Sequence, residues 1–348
     1  VVNFFSHQPA LNYGHYICER SWQQPMDAEG PKATIVEMEK VMRFWLQMGC
    51  DGFRVDMAGS LVKNDPDGLG TIRLWQTIRQ FLDKEFPEAA MVSEWGEPDK
   101  SLQAGFDMDF LLHFGPSHYN DLFRCEEPYF SSRGKGSAAA FVEKYKESRK
   151  KAGEKGLICI PSGNHELKVA FAFLLTMPGA PFIYYGDEIG LSYVENLVSV
   201  EGGYNRTGSR SPMQWNHEVN FGFSNASPEK LYIPTDDKPN SPTVEDQMKD
   251  PNSLYYEVKK LIALRREHSA LLSDGNIEFV SDGADGSPLA YIRSSADEKI
   301  LVVINPADRE AVLNVPGDWK ETLYEIGGAV VVEDGKIVIP SKSANLLR

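Results

Sequence analysis

The chain has 348 residues, with 36 Lys and Arg residues against 50 Asp and Glu residues, and a formal net charge of −14. This length exceeds one ordinary hydrophobic core, so it predicts a large domain followed by a smaller one. The negative charge would repel a phosphate backbone, and we expect no nucleic-acid partner. No run of apolar residues reaches the length of a membrane span, so we expect no membrane partner either.

The spacing of the reactive side chains excludes several kinds of site. The four cysteines follow no CxxC or disulfide-dense pattern, which favours reduced thiols and a cytoplasmic location. No cluster has metal-ligand spacing, so we expect no metal. No glycine-rich nucleotide motif occurs, so we expect no cofactor.

Helices and short strands alternate over the first two thirds of the chain. Apolar spacing with glycine and proline punctuation predicts helices over residues 31–48, 70–86, 137–152, 167–177 and 253–267. Short strands are predicted at residues 52–57, 90–94, 107–113, 157–160 and 182–185. Polar residues follow several of these strands, as in parallel α/β sheets that bind ligands at the carboxyl ends of their strands.

The rest of the chain has a different composition. Residues 191–252 are rich in Gly, Asn, Ser, Pro and Asp, and their length predicts a functional excursion that forms a lid or wall. From about residue 276, seven short β-type runs are separated by Asp-Gly, Pro-Gly and Gly-Gly turns. This pattern predicts an antiparallel β-sandwich.

Two acids follow neighbouring predicted strands. Asp56 ends the segment GFRVD and Glu94 ends AMVSE, so both side chains would reach one pocket. Glycoside hydrolysis with retention uses such a pair, one as nucleophile and one as proton donor. Arg54 lies two residues before Asp56, on the same side of the strand, and would keep that carboxylate ionised. A desolvated position beside Trp95 would help Glu94 to hold its proton.

Less specific interpretations of these residues remain open. Asp56 and Arg54 could form a structural ion pair, and Glu94 could cap the next helix. His165 taken alone is typical of a satisfied interior histidine. Asp187 and Glu188 follow another predicted strand, and we expect them to cap a helix N-terminus.

Five motifs in order along the chain resemble the α-amylase superfamily, glycoside hydrolase family thirteen. They are GFRVDMA, VSEW, GNHE, YYGDEIGL and RTGSRSPMQW. Within that family they look most like the α-glucosidase and oligo-α-1,6-glucosidase branch. The resemblance implies that Asp56 forms a covalent glycosyl intermediate, that Arg54 supports it, and that Glu94 serves as acid and then as base.

The resemblance extends to the motif GNHE. It implies that His165, beside Asn164, binds sugar hydroxyls, and that residue 166 supplies a third carboxylate. That residue is an aspartate in the family and Glu166 here, and a displacement near 1 Å can cost about 100-fold in rate. Ala10 is a second departure, since an acid is usual at its position.

The resemblance also implies a fold and a substrate. The fold would be a partial (β/α)8 barrel of about strands 4 to 8 over residues 1–270, followed by a β-sandwich over residues 271–348. A closed barrel needs eight strands, so a missing N-terminal half of the barrel would be a partner.

We expect an α-glucan oligosaccharide substrate and a retaining α-glucoside hydrolase. Two alternatives remain: a glucosyl transferase, and an inactive truncated or accessory protein that at most binds sugar. The sequence does not decide between α-1,4 and α-1,6 linkages.

Overall fold

The computed structural model describes residues 10–112, 116–153, 156–162, 168–199, 204–236, 238–333 and 335–348. The chain forms two compact units. The first unit comprises Val1–Ser117 and Glu143–Cys159, and the second comprises His118–Val142 and Ile160–Arg348.

The first unit contains a four-stranded parallel sheet in the order β1-β2-β3-β4. Its strands are β1 (Gly52–Val55), β2 (Ala90–Ser93), β3 (Met108–Phe110) and β4 (Leu157–Cys159). The helices along this part of the chain are α1 (Glu29–Gln47), α2 (Leu69–Glu85) and α3 (Pro98–Gln103). The predicted helix–strand alternation is therefore present in this unit, with strands shorter than predicted.

Helix α1 leaves much of its apolar surface in solvent. Met42 and Leu46 are buried in the core, but Val41, Phe44 and Trp45 are about half exposed. Only the face that carries residues 42 and 46 is therefore buried in the core of the first unit.

The second unit begins its regular structure with short α4 (Tyr119–Phe123) and the start of α5 (Ala139–Ala152). It continues with α6 (Lys168–Thr176), α7 (Val244–Lys249) and α8 (Leu254–Glu267). Buried Arg265 on α8 donates to the carbonyl oxygens of Leu175 and Met177, where α6 ends. A cation at this position satisfies carbonyls that a helix C-terminus leaves without partners.

Two antiparallel sheets complete the second unit. The larger has the order β5-β6-β7-β12-β9 and the smaller β10-β11-β8. Their strands are β5 (Asn276–Asp282), β6 (Leu289–Ser294), β7 (Lys299–Asn305), β8 (Ala311–Asn314), β9 (Thr322–Ile326), β10 (Val331–Glu333), β11 (Lys336–Ile339) and β12 (Ser343–Leu347). Leu301 and Val303 from one sheet share a buried cluster with Ile337 and Ile339 from the other. The two sheets therefore pack face to face, as the sequence predicts.

The strand predicted at residues 182–185 is reduced to one parallel bridge between Pro161 and Phe182. Pro181 has no N–H to donate to a ladder. The backbone N–H of Tyr184 donates to the Ser162 hydroxyl at 2.7 Å instead of to a strand. The described part of the parallel sheet therefore has four strands rather than five.

The excursion at residues 191–252 contains helix α7 and three 3₁₀ turns, Tyr204–Arg210, Val219–Gly222 and Pro228–Lys230. Across the described ranges, no helix combines the length and the apolar character needed to cross a membrane.

Candidate active site

The parallel register places Asp56 and Glu94 at the same edge of the sheet. Val55 of β1 pairs with Ser93 of β2, and the N–H of Glu94 donates to the carbonyl of Val55 at 2.9 Å. Asp56 and Glu94 are the next residues along each strand. The sheet therefore brings these two acids side by side at its carboxyl edge.

One guanidinium joins the two acids. Arg54 Nη1 lies 2.9 Å from Asp56 Oδ1, and Nη2 lies 2.7 Å from Glu94 Oε2. The carboxyls of Asp56 and Glu94 also hydrogen-bond to each other. Such direct contact requires one of the two groups to carry a proton.

The surroundings of the two acids differ. The Asp56 side chain is 72% exposed, whereas that of Glu94 is 22% exposed. Burial raises the pKa of Glu94, and the hydrogen bond with Asp56 and its negative charge raise this pKa further. Arg54 opposes these effects. Burial and the neighbouring Asp56 therefore favour the protonated form of Glu94.

The backbone just after Asp56 is strained. Met57 has φ 49° and ψ 37°, a left-handed conformation that residues other than glycine seldom adopt. The chain then enters a 3₁₀ turn at Ala58–Ser60, and the indole N–H of Trp75 donates to the carbonyl of Ala58 at 2.9 Å. Backbone strain of this kind is concentrated at functional sites in proteins.

The turn after Asp56 also packs against the residue that follows Glu94. A Cβ added to Gly59 would lie 2.5 Å from Trp95 Nε1, so no side chain fits between them. Trp95 Nε1 donates to Glu97 at 3.2 Å. The turns that follow Asp56 and Glu94 therefore support each other through Gly59 and Trp95.

A cavity of about 380 Å³ opens beside Asp56 in the first unit, and Glu94 is not among the residues that line it. Its walls include the apolar side chains of Tyr13, Phe53 and Trp75, and its charged groups are Arg54 and Asp56. An apolar cleft with a few convergent polar groups is typical of a small-molecule site.

Several predicted site residues are not covered by this geometry. Asn164, His165 and Glu166 lie outside the described residues. Asp187 does not cap a helix, because Gly186 occupies that position, and its Oδ2 accepts the Ser162 hydroxyl at 2.6 Å. Within the described ranges, no group of three His, Cys, Asp or Glu residues is placed to hold a metal ion.

One buried acid near Glu94 has no place in the sequence predictions. Asp109 on β3 is fully buried and accepts hydrogen bonds from the Ser93 hydroxyl and from the backbone N–H of Trp95. The signal was present, since Asp109 is a lone charged residue in the apolar run MDFLL. The same signal led to Arg54 and Asp56.

Comparison with protein families identifies two matching segments. The model of the α-amylase catalytic domain matches residues 158–275, and the model of the maltogenic amylase C-terminal domain matches residues 277–333.

Relatives with curated names are similar over most of the chain. Trehalose synthase/amylase TreS of Mycobacterium tuberculosis is 27% identical, over 88% of this chain and 56% of its own length. Glucan 1,6-alpha-glucosidase of Streptococcus pneumoniae is 26% identical, over 94% of this chain and 70% of its own. The chain spans a little over half the length of TreS and of similar trehalose synthases.

Solved structures share the fold. Trehalulose synthase MutB from Pseudomonas mesoacidophila superposes with a TM-score of 0.74 at 20% identity, covering 94% of this chain and 70% of that one.

Proposed function

Because the chain belongs to the α-amylase family of glycoside hydrolases, we propose that it cleaves α-glucosidic bonds in α-glucan oligosaccharides with retention of configuration. Asp56 is the proposed nucleophile and Glu94 the proposed acid and base. The observation that carries the proposal is the contact between an exposed and a partly buried carboxyl that share the guanidinium of Arg54.

The proposed reaction has two steps. The Asp56 carboxylate attacks the anomeric carbon while protonated Glu94 gives its proton to the departing glycosidic oxygen, which leaves a glycosyl ester on Asp56. Glu94, now ionised, removes a proton from water, and the resulting hydroxyl displaces Asp56 from the anomeric carbon. Retaining pairs stand about 5 Å apart, so an entering sugar would replace the hydrogen bond between the two acids.

The sugar-binding part of the proposal rests on the motif GNHE alone. His165 and Asn164 would bind sugar hydroxyls, and Glu166 would supply the third carboxylate. Arg54 would hold Asp56 ionised through the ion pair at 2.9 Å.

We further propose that the parallel sheet is part of a (β/α)8 barrel within residues 1–270, with a β-sandwich domain over residues 271–348. In the described sheet β1 has a neighbour on one side only, and an edge of this kind recruits further strands. The half-exposed Val41, Phe44 and Trp45 of α1 offer apolar surface for more of the same barrel.

A glucosyl transferase is the second candidate. The named relatives include both trehalose synthases and glucosidases. The covalent intermediate is the same in both reactions, with a sugar hydroxyl in place of water. Products released from maltose distinguish them, because a transferase forms new disaccharides or longer sugars besides glucose.

The test is hydrolysis of 4-nitrophenyl α-glucoside by the chain, alone and joined to any residues that its gene encodes upstream. Glu94→Gln should lower kcat by about 10²–10⁴-fold on maltose, and Asp56→Asn should abolish turnover. Proton NMR of the first product should show the α-anomer. Release of the β-anomer would contradict retention, and inactivity of both forms on all α-linked substrates would favour the accessory protein.

A further inference from the structure

Asp109 is a buried acid that the proposed reaction does not use. Its side chain is fully buried, and its strand β3 pairs with β2 so that Asp109 faces Ser93, the residue before Glu94. A carboxylate costs several kcal/mol to bury unless donors surround it. The hydrogen-bond partners of Asp109 therefore indicate which segment of the chain this side chain stabilises.

Three hydrogen-bond donors converge on one oxygen of the Asp109 side chain. Oδ1 accepts from the Ser93 hydroxyl at 2.6 Å, from the N–H of Trp95 at 3.1 Å and from the N–H of Gly96 at 3.3 Å. The hydroxyls of Ser93 and Ser101 lie 2.6 Å apart, and both residues are fully buried. Ser93 can therefore accept from Ser101 and donate to Asp109.

These donors flank Glu94 on both sides. Ser93 precedes it, and Trp95 and Gly96 follow it in a turn where Gly96 has φ +80°. Glu94 itself is held from the opposite strand, where its N–H donates to Val55. Asp109 thus binds the segment immediately before and immediately after the proposed acid.

We propose that Asp109 is a positioning residue that holds the turn carrying Glu94, so that the Glu94 carboxyl stays in reach of Asp56 and of the glycosidic oxygen. The role of Glu94 in this inference rests on the proposed function. The anchoring of the turn by Asp109 does not depend on the proposed function.

Burial raises the pKa of Asp109 to about 6, and the donors from Ser93, Trp95 and Gly96 oppose that rise. The group is therefore ionised at neutral pH, where charge-assisted hydrogen bonds are shorter and stronger than neutral ones. The other oxygen, Oδ2, has no hydrogen-bond partner among the described residues. Protonation of Asp109 would weaken the contact with the turn.

The first experiment detects the anchoring without any substrate. The chain is labelled with ¹⁵N-tryptophan, and the Trp95 backbone amide is assigned from its loss in Trp95→Phe. We expect this amide to shift with pH through a midpoint near 6, because its N–H donates to Asp109. Glu94 precedes Trp95 and its pKa is also raised, so the comparison is made in a Glu94→Gln background, where Asp109→Asn should abolish the remaining titration. A Trp95 amide that does not titrate, or that titrates equally in the variant, would overturn the anchoring.

The second experiment separates positioning from general damage. Maltose needs a proton on its leaving oxygen, whereas α-glucosyl fluoride expels fluoride without one. Asp109→Asn should lower kcat/KM for maltose by about 10–100-fold and that for the fluoride by less than about 3-fold. Asp109→Ala gives the same comparison without a buried amide. Equal losses on both substrates would overturn the positioning role.

The matched control is Asp187→Asn. Asp187 is also a buried acid whose pKa is raised to about 6, and it accepts a serine hydroxyl at 2.6 Å, from Ser162. Any loss of kcat/KM that Asp187→Asn causes should be equal for maltose and for α-glucosyl fluoride. Failure of the parent chain on both substrates would count against the proposed function, while the Trp95 titration still decides the anchoring.

Discussion

The parallel sheet of the first unit and the antiparallel sheet of the second unit handle their polar groups in opposite ways. Strands β1 to β4 are three or four residues long, and the acids that follow β1 and β2 reach solvent. In the larger antiparallel sheet, residues 300–304 are completely buried. The short strands serve to present side chains at their ends, whereas the long strands serve to fill a core.

The comparison extends to buried charge. In the antiparallel sheet, fully buried Arg293 on β6 donates to the backbone carbonyls of Thr176, Leu272 and Asn276. In the parallel sheet, Asp109 accepts from backbone N–H groups around Glu94. One buried charge joins a strand to the end of a helix, and the other holds a turn at the candidate site.

The largest effect on stability is expected at Arg293. Arg293→Met leaves buried carbonyls without donors and should lower the free energy of unfolding by about 3–5 kcal/mol. The measurement is urea unfolding, with hydrogen exchange of peptides from each sheet to show which region opens. We expect the peptides of β6 and β7 to lose protection.

The control for Arg293 is an exposed arginine in the first unit. Arg73 pairs with Asp27 at 3.0 Å, and both side chains are more than half exposed. Arg73→Met should cost no more than about 1 kcal/mol. If the two arginine variants lost equal stability, the contrast between the two sheets would not hold.

A second prediction concerns Asp187, the buried acid of the second unit. Its pKa rises from 3.8 to about 6 in the folded chain, because burial disfavours its charge. Between these two pH values the folded chain binds the proton and the unfolded chain does not, so stability falls as pH rises. Between pH ~4 and pH ~6, Asp187 should lower the free energy of unfolding of the parent chain by about 3 kcal/mol. The variant Asp187→Asn should lack this contribution.

Urea unfolding at several pH values measures this difference between parent and variant. A constant difference between parent and Asp187→Asn across the range would show that the pKa of Asp187 is not raised in the folded chain.

The smallest effect on stability is expected at the exposed face of α1. Replacing Val41, Phe44 and Trp45 together by Gln should change the free energy of unfolding by no more than about 1 kcal/mol. It should reduce concentration-dependent self-association of the chain in sedimentation velocity, because it removes exposed apolar surface. Met42→Ala, on the buried face of the same helix, should instead cost about 2–5 kcal/mol. If the triple variant self-associated as strongly as the parent, the exposed face of α1 would not be a surface of self-association.

Local patterns predicted the long helices but missed several shorter elements. The five predicted helices begin and end within two residues of the observed ones, because apolar spacing and terminal Pro or Gly residues mark them, whereas the short helices α3, α4 and α7 were not predicted. Strand β12 was not predicted, although it lies between β7 and β9 and is buried throughout. Its sequence SANLL contains Ser343 and Asn345, which hydrogen-bond to the carbonyls of Pro340 and Gly328. Only the tertiary partners make such residues compatible with a core strand.

Local sequence patterns also predicted part of the candidate site. Charged residues in apolar strands pointed to Arg54 and Asp56, and the repeated strand–acid pattern pointed to Glu94. The register between β1 and β2, which makes them neighbours, is a long-range property that local patterns do not contain. Asp109 contacts Trp95 across two strands that are separated by helix α3, and this partnership likewise has no local signature.

The left-handed backbone of Met57 restricts how this protein can be redesigned. Asn, Asp and Gly tolerate a φ of 49°, whereas Val, Ile and Thr do not. A combinatorial library at position 57 would therefore return few functional members outside this small set. Side-chain diversity is better introduced where the backbone is relaxed, as at Leu61 on the cavity wall, which has φ −71° and ψ −48°.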